Sequence, residues 1–125
     1  MHYMNNYTGT IIEESLEDKQ VLSKIKILST KVEQVTQKHQ TPWLAQWTLR
    51  KVEIAEDQAD KIAEMLSRVL QKNYWYADYK NDKWHYIVYS DKIFKVDRQN
   101  PILYKDAKQY GLSLGIPPYQ VDFRG

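Results

Sequence analysis

The sequence predicts an α+β fold: two layers, with one long and one short helix packed on a mostly antiparallel sheet of about five to six strands. Three observations predict it. Ala55, Ala59, Ile62, Ala63, Leu66, Val69 and Leu70 fall on one stripe at helical spacing. Short runs rich in β-branched and aromatic residues occupy 7–14, 47–54, 74–79, 84–89 and 92–96, bounded by polar turns. The runs gather before and after the long helix and do not alternate with helices, which favours antiparallel neighbours over parallel βαβ units.

Taken in order, residues 7–14 (Tyr-Thr-Gly-Thr-Ile-Ile-Glu-Glu) read as a strand. Residues 15–37 carry two competing patterns. Val21, Leu22, Ile25, Leu28, Val32 and Val35 recur at spacings of three and four, and Ser15 with Asp18 resembles a capping box, which suits a helix. Lys24 to Ile27 alternates, and 27–36 is heavy in Val, Ile and Thr, whose stiff branched side chains suit a pleated strand. The balance of the two patterns favours a short helical turn near 17–22 followed by a long strand. Thr41-Pro42 breaks the chain into a turn, because the residue before proline is pushed out of the helical region. An imperfect strand follows over 47–54. Glu56 and Asp57 then stand where a helix dipole favours negative charge, opening the helix that ends at Asn73. Residues 74–79 and 84–89 form a hairpin around 80–83, and 92–96 continues the meander. Asn100-Pro101 reads as cap and first-turn proline of the short helix, with Gly111 as its stop. The tail at 119–123 is expected to dock as an edge segment.

Composition narrows the function classes. At 125 residues, with 42% apolar and 27% charged residues, the chain has the make-up of one folded domain spanning 1–125. Lys and Arg number 18 against 16 acidic residues, and a net charge of +2 is too small to draw in nucleic acid or anionic lipid by itself. There is no cysteine, which removes disulfides, thiolate ligands and cysteine nucleophiles and agrees with a reducing compartment. No basic segment with an apolar run opens the sequence, and no apolar run approaches the roughly 20 residues a bilayer demands. A cytoplasmic protein without membrane contact and without a cofactor is expected.

The densest feature is aromatic. Tyr74, Trp75, Tyr76, Tyr79, Trp84, Tyr86, Tyr89 and Phe94 place half of the 16 aromatic residues within 74–94. Strand alternation sets Trp75, Ala77 and Tyr79 on one face and Tyr74, Tyr76 and Asp78 on the other, so one helix cannot cover every ring. The excess is either partly exposed or covered by the tail or a second subunit. The expected function is therefore a non-catalytic binding or interaction module, with Trp75, Tyr79, Trp84, Tyr86 and Tyr89 as binding residues and a protein partner or a second copy as ligand. Nucleic acid is disfavoured: lysines and Arg98 lie nearby, but the glycine that lets bases approach an aromatic sheet is missing from 86–90.

The alternative from another class is a small hydrolase or nuclease-like enzyme using inward carboxylates with His39 or His85. Glu13 and Glu14, adjacent on a strand, face opposite ways and cannot pair, but an enzyme site would need the sheet to bring one of them to Glu33, Glu53, His39 or His85. His2, His39 and His85 lack metal-ligand spacing. Gly111-Leu112-Ser113-Leu114-Gly115 matches the nucleophile-elbow letters, but it follows a helix, so the strand-turn-helix context is absent. Four dispersed glycines compose no phosphate cradle.

Residues 9–16 (Gly-Thr-Ile-Ile-Glu-Glu-Ser-Leu), Thr41-Pro42-Trp43-Leu44, Trp75-Tyr76-Ala77-Asp78, Gly115-Ile116-Pro117 and Tyr119-Gln120-Val121-Asp122-Phe123 resemble a family of small, uncharacterised bacterial proteins. The likeness spans nearly the whole chain. It implies a bacterial, single-domain protein and carries no activity, so no functional residue is transferred by it.

Overall fold

The strand nearest the N-terminus lies in the middle of the sheet. In the computed structural model, which describes residues 5–37, 41 and 43–123, β1 (Tyr7–Ile12) is flanked by β3 (Gln46–Ile54) and β4 (Ala77–Lys80). The six strands run in the order β2-β3-β1-β4-β5-β6, every neighbouring pair antiparallel, with β2 at Lys26–Gln34, β5 at Trp84–Tyr89 and β6 at Lys92–Asp97. The chain adopts the expected α+β class, and the sheet of about five to six strands has six, with two helices. Gly9 marks the tightest point: a Cβ there would lie 1.9 Å from the Asp78 carbonyl oxygen, so only glycine lets β1 and β4 pair.

The contested stretch resolves as a 3₁₀ turn at Lys19–Lys24 followed by β2. Asp18 caps that turn itself, accepting from the Gln20 amide at 2.9 Å, while the Ser15 hydroxyl donates to the Ile12 carbonyl at 2.6 Å. No box joins the two. Val21, Leu22 and Ile25 are buried, whereas Leu28 and Val32, which share their helical stripe, lie exposed on the strand. Glu13 and Glu14 leave the first strand for a 3₁₀ turn at Glu13–Ser15.

The long helix begins as a 3₁₀ turn at Glu56–Gln58 and continues as α1 (Ala59–Val69), with Ala59, Ile62, Ala63 and Leu66 buried as their stripe predicts. The second helix, α2 (Leu103–Ser113), differs from expectation at both ends. Ile102 takes the cap position with no side-chain cap bond, and the helix runs past Gly111. Gly111 is there for close packing: a Cβ would meet the Tyr89 hydroxyl and Val121 Cγ1 at 2.7 Å each. The tail docks not as a strand but through a 3₁₀ turn at Pro118–Gln120.

Alternation along the hairpin decides where the two helices sit. Ala77, Tyr79, Tyr86 and Val88 join Tyr7, Ile11, Val52 and the stripe of α1 in one buried cluster. Ile87 and Tyr89 join Val96, Tyr104 and Ala107 of α2, and Ile116 and Val121 of the tail, in another. The helices thus occupy opposite faces of the sheet, and no single layer holds both.

Candidate functional site

Each of the five rings expected to bind a partner can be placed. Tyr79 and Tyr86 stack with centroids 5.0 Å apart, with Tyr7 edge-on to both. The Tyr79 hydroxyl donates to the Ala59 carbonyl at 2.6 Å and Tyr86 donates to the Asp60 carboxylate, which ties both to α1. Tyr89, on the other face, donates to the Ala107 carbonyl of α2 at 2.7 Å. Trp75 packs on Trp47 at 5.3 Å, and its indole N–H is buried without a partner, whereas that of Trp47 donates to Thr41 at 2.9 Å. These four residues of the hairpin region are buried. Only Trp84 is half-buried, beneath the Lys95 and Lys83 ammonium groups at 4.7 and 5.3 Å from its ring. The ring excess is covered within the chain by α2 and the tail, where the Tyr76 hydroxyl donates to the Gln120 carbonyl at 2.5 Å. Burial pushes the phenols of Tyr76, Tyr79, Tyr86 and Tyr89 well above their usual value, with the Asp60 carboxylate adding to the effect at Tyr86.

The α2 face of the hairpin also assembles a polar chain that the sequence reading did not identify. His85 is 2% exposed, and its Nε2 lies 2.7 Å from the Asp78 carboxylate while its Nδ1 lies 2.9 Å from the Tyr104 hydroxyl. If Nε2 carries the proton, it donates to Asp78 and the Tyr104 hydroxyl donates to Nδ1, which satisfies every group with a neutral imidazole. Phe123 covers the ring edge-on at 5.9 Å. The chain lies between two clefts. One of about 480 Å³ is lined by Tyr104, Lys105, Lys108 and Phe123; one of about 330 Å³ is lined by Thr10, Ile12, Leu49, Tyr76 and Asp78. The signal for this pairing lay in the hairpin: Lys80 opposes His85, which places Asp78 two residues along on the same face.

The other candidate acids and bases go elsewhere. Glu13 bonds Arg50 at 2.9 Å, and Glu14 accepts from the Thr48 amide and hydroxyl at 2.6 and 2.7 Å. Neither is bonded to His85, the histidine among the described residues. Glu33 lies beside Lys31 at 3.7 Å and Glu53 accepts from Asn6. His2 and His39 lie outside the described residues. Among the described residues no group of three or more His, Asp or Glu side chains could hold a metal ion, and no helix is long and apolar enough to cross a membrane. Ser113 sits in the last turn of α2 and donates to the Tyr110 carbonyl, so the elbow-like letters form no elbow.

What the chain turns outward is β2. Eight of its nine residues are exposed, among them Ile27 at 40%, Leu28 at 42% and Val32 at 50%. The Val35 amide bonds the Ala45 carbonyl at 3.0 Å, continuing the β2–β3 register. By alternation Ser29, Lys31 and Glu33 turn their amides and carbonyls toward β3, while Thr30, Val32 and Gln34 turn theirs outward along the open edge. A bulge interrupts the ladder between Ile27 and Ser29, so the regular part of the edge begins at Ser29.

Protein-family models, curated proteins and solved structures contain no match to the chain.

Proposed function

We propose that the protein is a non-catalytic interaction module of the cytoplasm that docks a strand on its open β2 edge, with the aromatic hairpin as the scaffold holding the sheet between its helices. The observation that carries this reading is the contrast between the two regions. The hairpin rings are spent internally, with the hydroxyls of Tyr76, Tyr79, Tyr86 and Tyr89 each donating to a carbonyl or carboxylate. Among the described residues the nine-residue β2 is an edge strand whose outward row of backbone donors and acceptors pairs with no further strand, beside exposed Ile27, Leu28 and Val32. An edge of that kind takes up a further strand through main-chain hydrogen bonds, with side chains on alternate faces supplying selectivity. Lys26, Lys31 and the bulge are devices that blunt indiscriminate pairing, so the partner must match their pattern.

Proline scanning tests it. Val32→Pro removes an amide that points into open solvent and leaves the fold intact, whereas Lys31→Pro removes one that bonds β3 and lowers the melting temperature. A protein partner recovered on the immobilised wild type and lost from a normally folded Val32→Pro supports the reading. Equal recovery on both overturns it.

A second reading, the hydrolase or nuclease-like enzyme, draws on the Asp78-His85-Tyr104 chain, in which a carboxylate orients an imidazole against a hydroxyl at the wall of a cleft. Against it stands the burial of His85, whose nitrogens both already have partners. Ring-nitrogen resonances of His85 that move on adding small phosphate or carboxylate esters would favour the enzyme; resonances that stay fixed favour the module.

A further inference from the structure

We infer that the strand taken up by β2 is the β2 of a second copy, paired antiparallel about a two-fold axis through Val32; the inference rests on the reading of β2 as the docking edge. Symmetry and charge both select this partner. Val32 is one of the residues whose amide and carbonyl face outward, so Val32 opposite its own copy forms a doubly hydrogen-bonded pair on the axis. Thr30 then bonds Gln34 of the other copy, again an outward-facing pair. On the opposite face Lys31 comes against the other copy's Glu33, and Glu33 against its Lys31.

The charge pattern singles out this register. Lys31 and Glu33, already 3.7 Å apart within one copy, flank Val32 with opposite sign, so a two-fold axis at Val32 sets each beside the other copy's counter-ion as well, at two positions. Centring on Lys31 instead sets two ammonium groups directly opposite each other, which is destabilising. Centring nearer the N-terminus drives the bulge at Leu28 into the ladder. With the axis at Val32 the overlap covers 29–35, the unbulged part of the edge, and Val32, half exposed in one copy, is covered by its counterpart. Such a contact is isologous and closes on itself, which extends the sheet without opening a route to fibres.

The test uses charge exchange in the full chain, read by sedimentation velocity across a concentration series. Lys31→Glu alone and Glu33→Lys alone each place like charges together at two positions per dimer, and each weakens the dimer by about tenfold or more. An equimolar mixture of the two variants, and the double exchange in one chain, restore association. Because the chain has no cysteine, Val32→Cys adds a direct check. Residues opposed on the axis stand about 5.5 Å apart at Cα, within disulfide reach, so Val32→Cys cross-links on oxidation while Thr30→Cys alone does not. A wild type that stays monomeric at every concentration, with the amides of 30, 32 and 34 exchanging freely, overturns self-pairing. If that monomer still captures another protein through an edge sensitive to Val32→Pro, the interaction reading survives. A dimer indifferent to Val32→Pro and to both charge exchanges overturns both.

Discussion

Glu14 shows how one side chain sets a response to acid. Burial by itself would raise its carboxyl, but the amide and hydroxyl of Thr48 both donate to the carboxylate and hold it below the usual value. A carboxylate depressed in the folded state contributes stability that is fully present above its unfolded value and is lost as pH falls through the folded one. Thr48→Val keeps the shape and deletes one donor, and it is expected to cost about 1.5 kcal/mol at neutral pH, an effect that shrinks as the pH falls through the folded value of the carboxyl. Denaturant midpoints measured along that pH range check it; a loss independent of pH would mean that the hydroxyl acts through packing. The same carboxylate marks a limit of reading residues singly. Glu13 and Glu14 do not act as a pair because a 3₁₀ turn aims one at Arg50 and the other at Thr48, and nothing in the local sequence states those partners.

Elements were legible where one pattern dominated. The stripe of α1 is strong enough that its buried residues are the predicted ones, and the alternation of the hairpin places rings on both faces as expected. In 15–37 the two periodicities belong to different places: the apolar residues of the turn at Lys19–Lys24 are buried, while those of β2 lie along an edge that packs on one side only. Gly111 misled because glycine ends helices and also permits close approach, and only the third dimension separates the two uses. Its neighbours decide the matter. Gly111→Ala is expected to lower stability by about 2 kcal/mol, since the added methyl collides with the Tyr89 hydroxyl and Val121 at 2.7 Å, despite the better helix propensity of alanine. Thermal unfolding checks it, and a stabilised variant would show that the tail yields. The Asp78-His85 contact depended on hairpin register, which composition alone leaves open.

At the scale of the whole molecule, β5 is the seam between two cores. Its Tyr86 side chain reaches α1 and its Tyr89 side chain reaches α2, so loosening either helix strips cover from the same strand. Alkali exploits this. The buried phenols are raised by burial, and stability from such groups is present below about pH 10 and is lost as pH climbs through their folded values. Raising the pH is expected to ionise the exposed tyrosines first and the buried ones together in one cooperative step, with helix and sheet signals lost at the same midpoint. Phenolate absorbance recorded beside circular dichroism checks it, and separate midpoints for the two signals would mean that the cores melt apart. That rings on both faces needed two covers was readable from alternation, with the tail as one candidate for the second; that α2 joins the tail there was not, because their contacts span distant parts of the chain. The central position of β1 bears also on synthesis. Because β1 precedes both of its neighbours, it must wait for residues 49–54 and then for 78–80, some seventy residues later, to leave the ribosome, and in that interval it presents the kind of unpaired strand edge that chaperones shield.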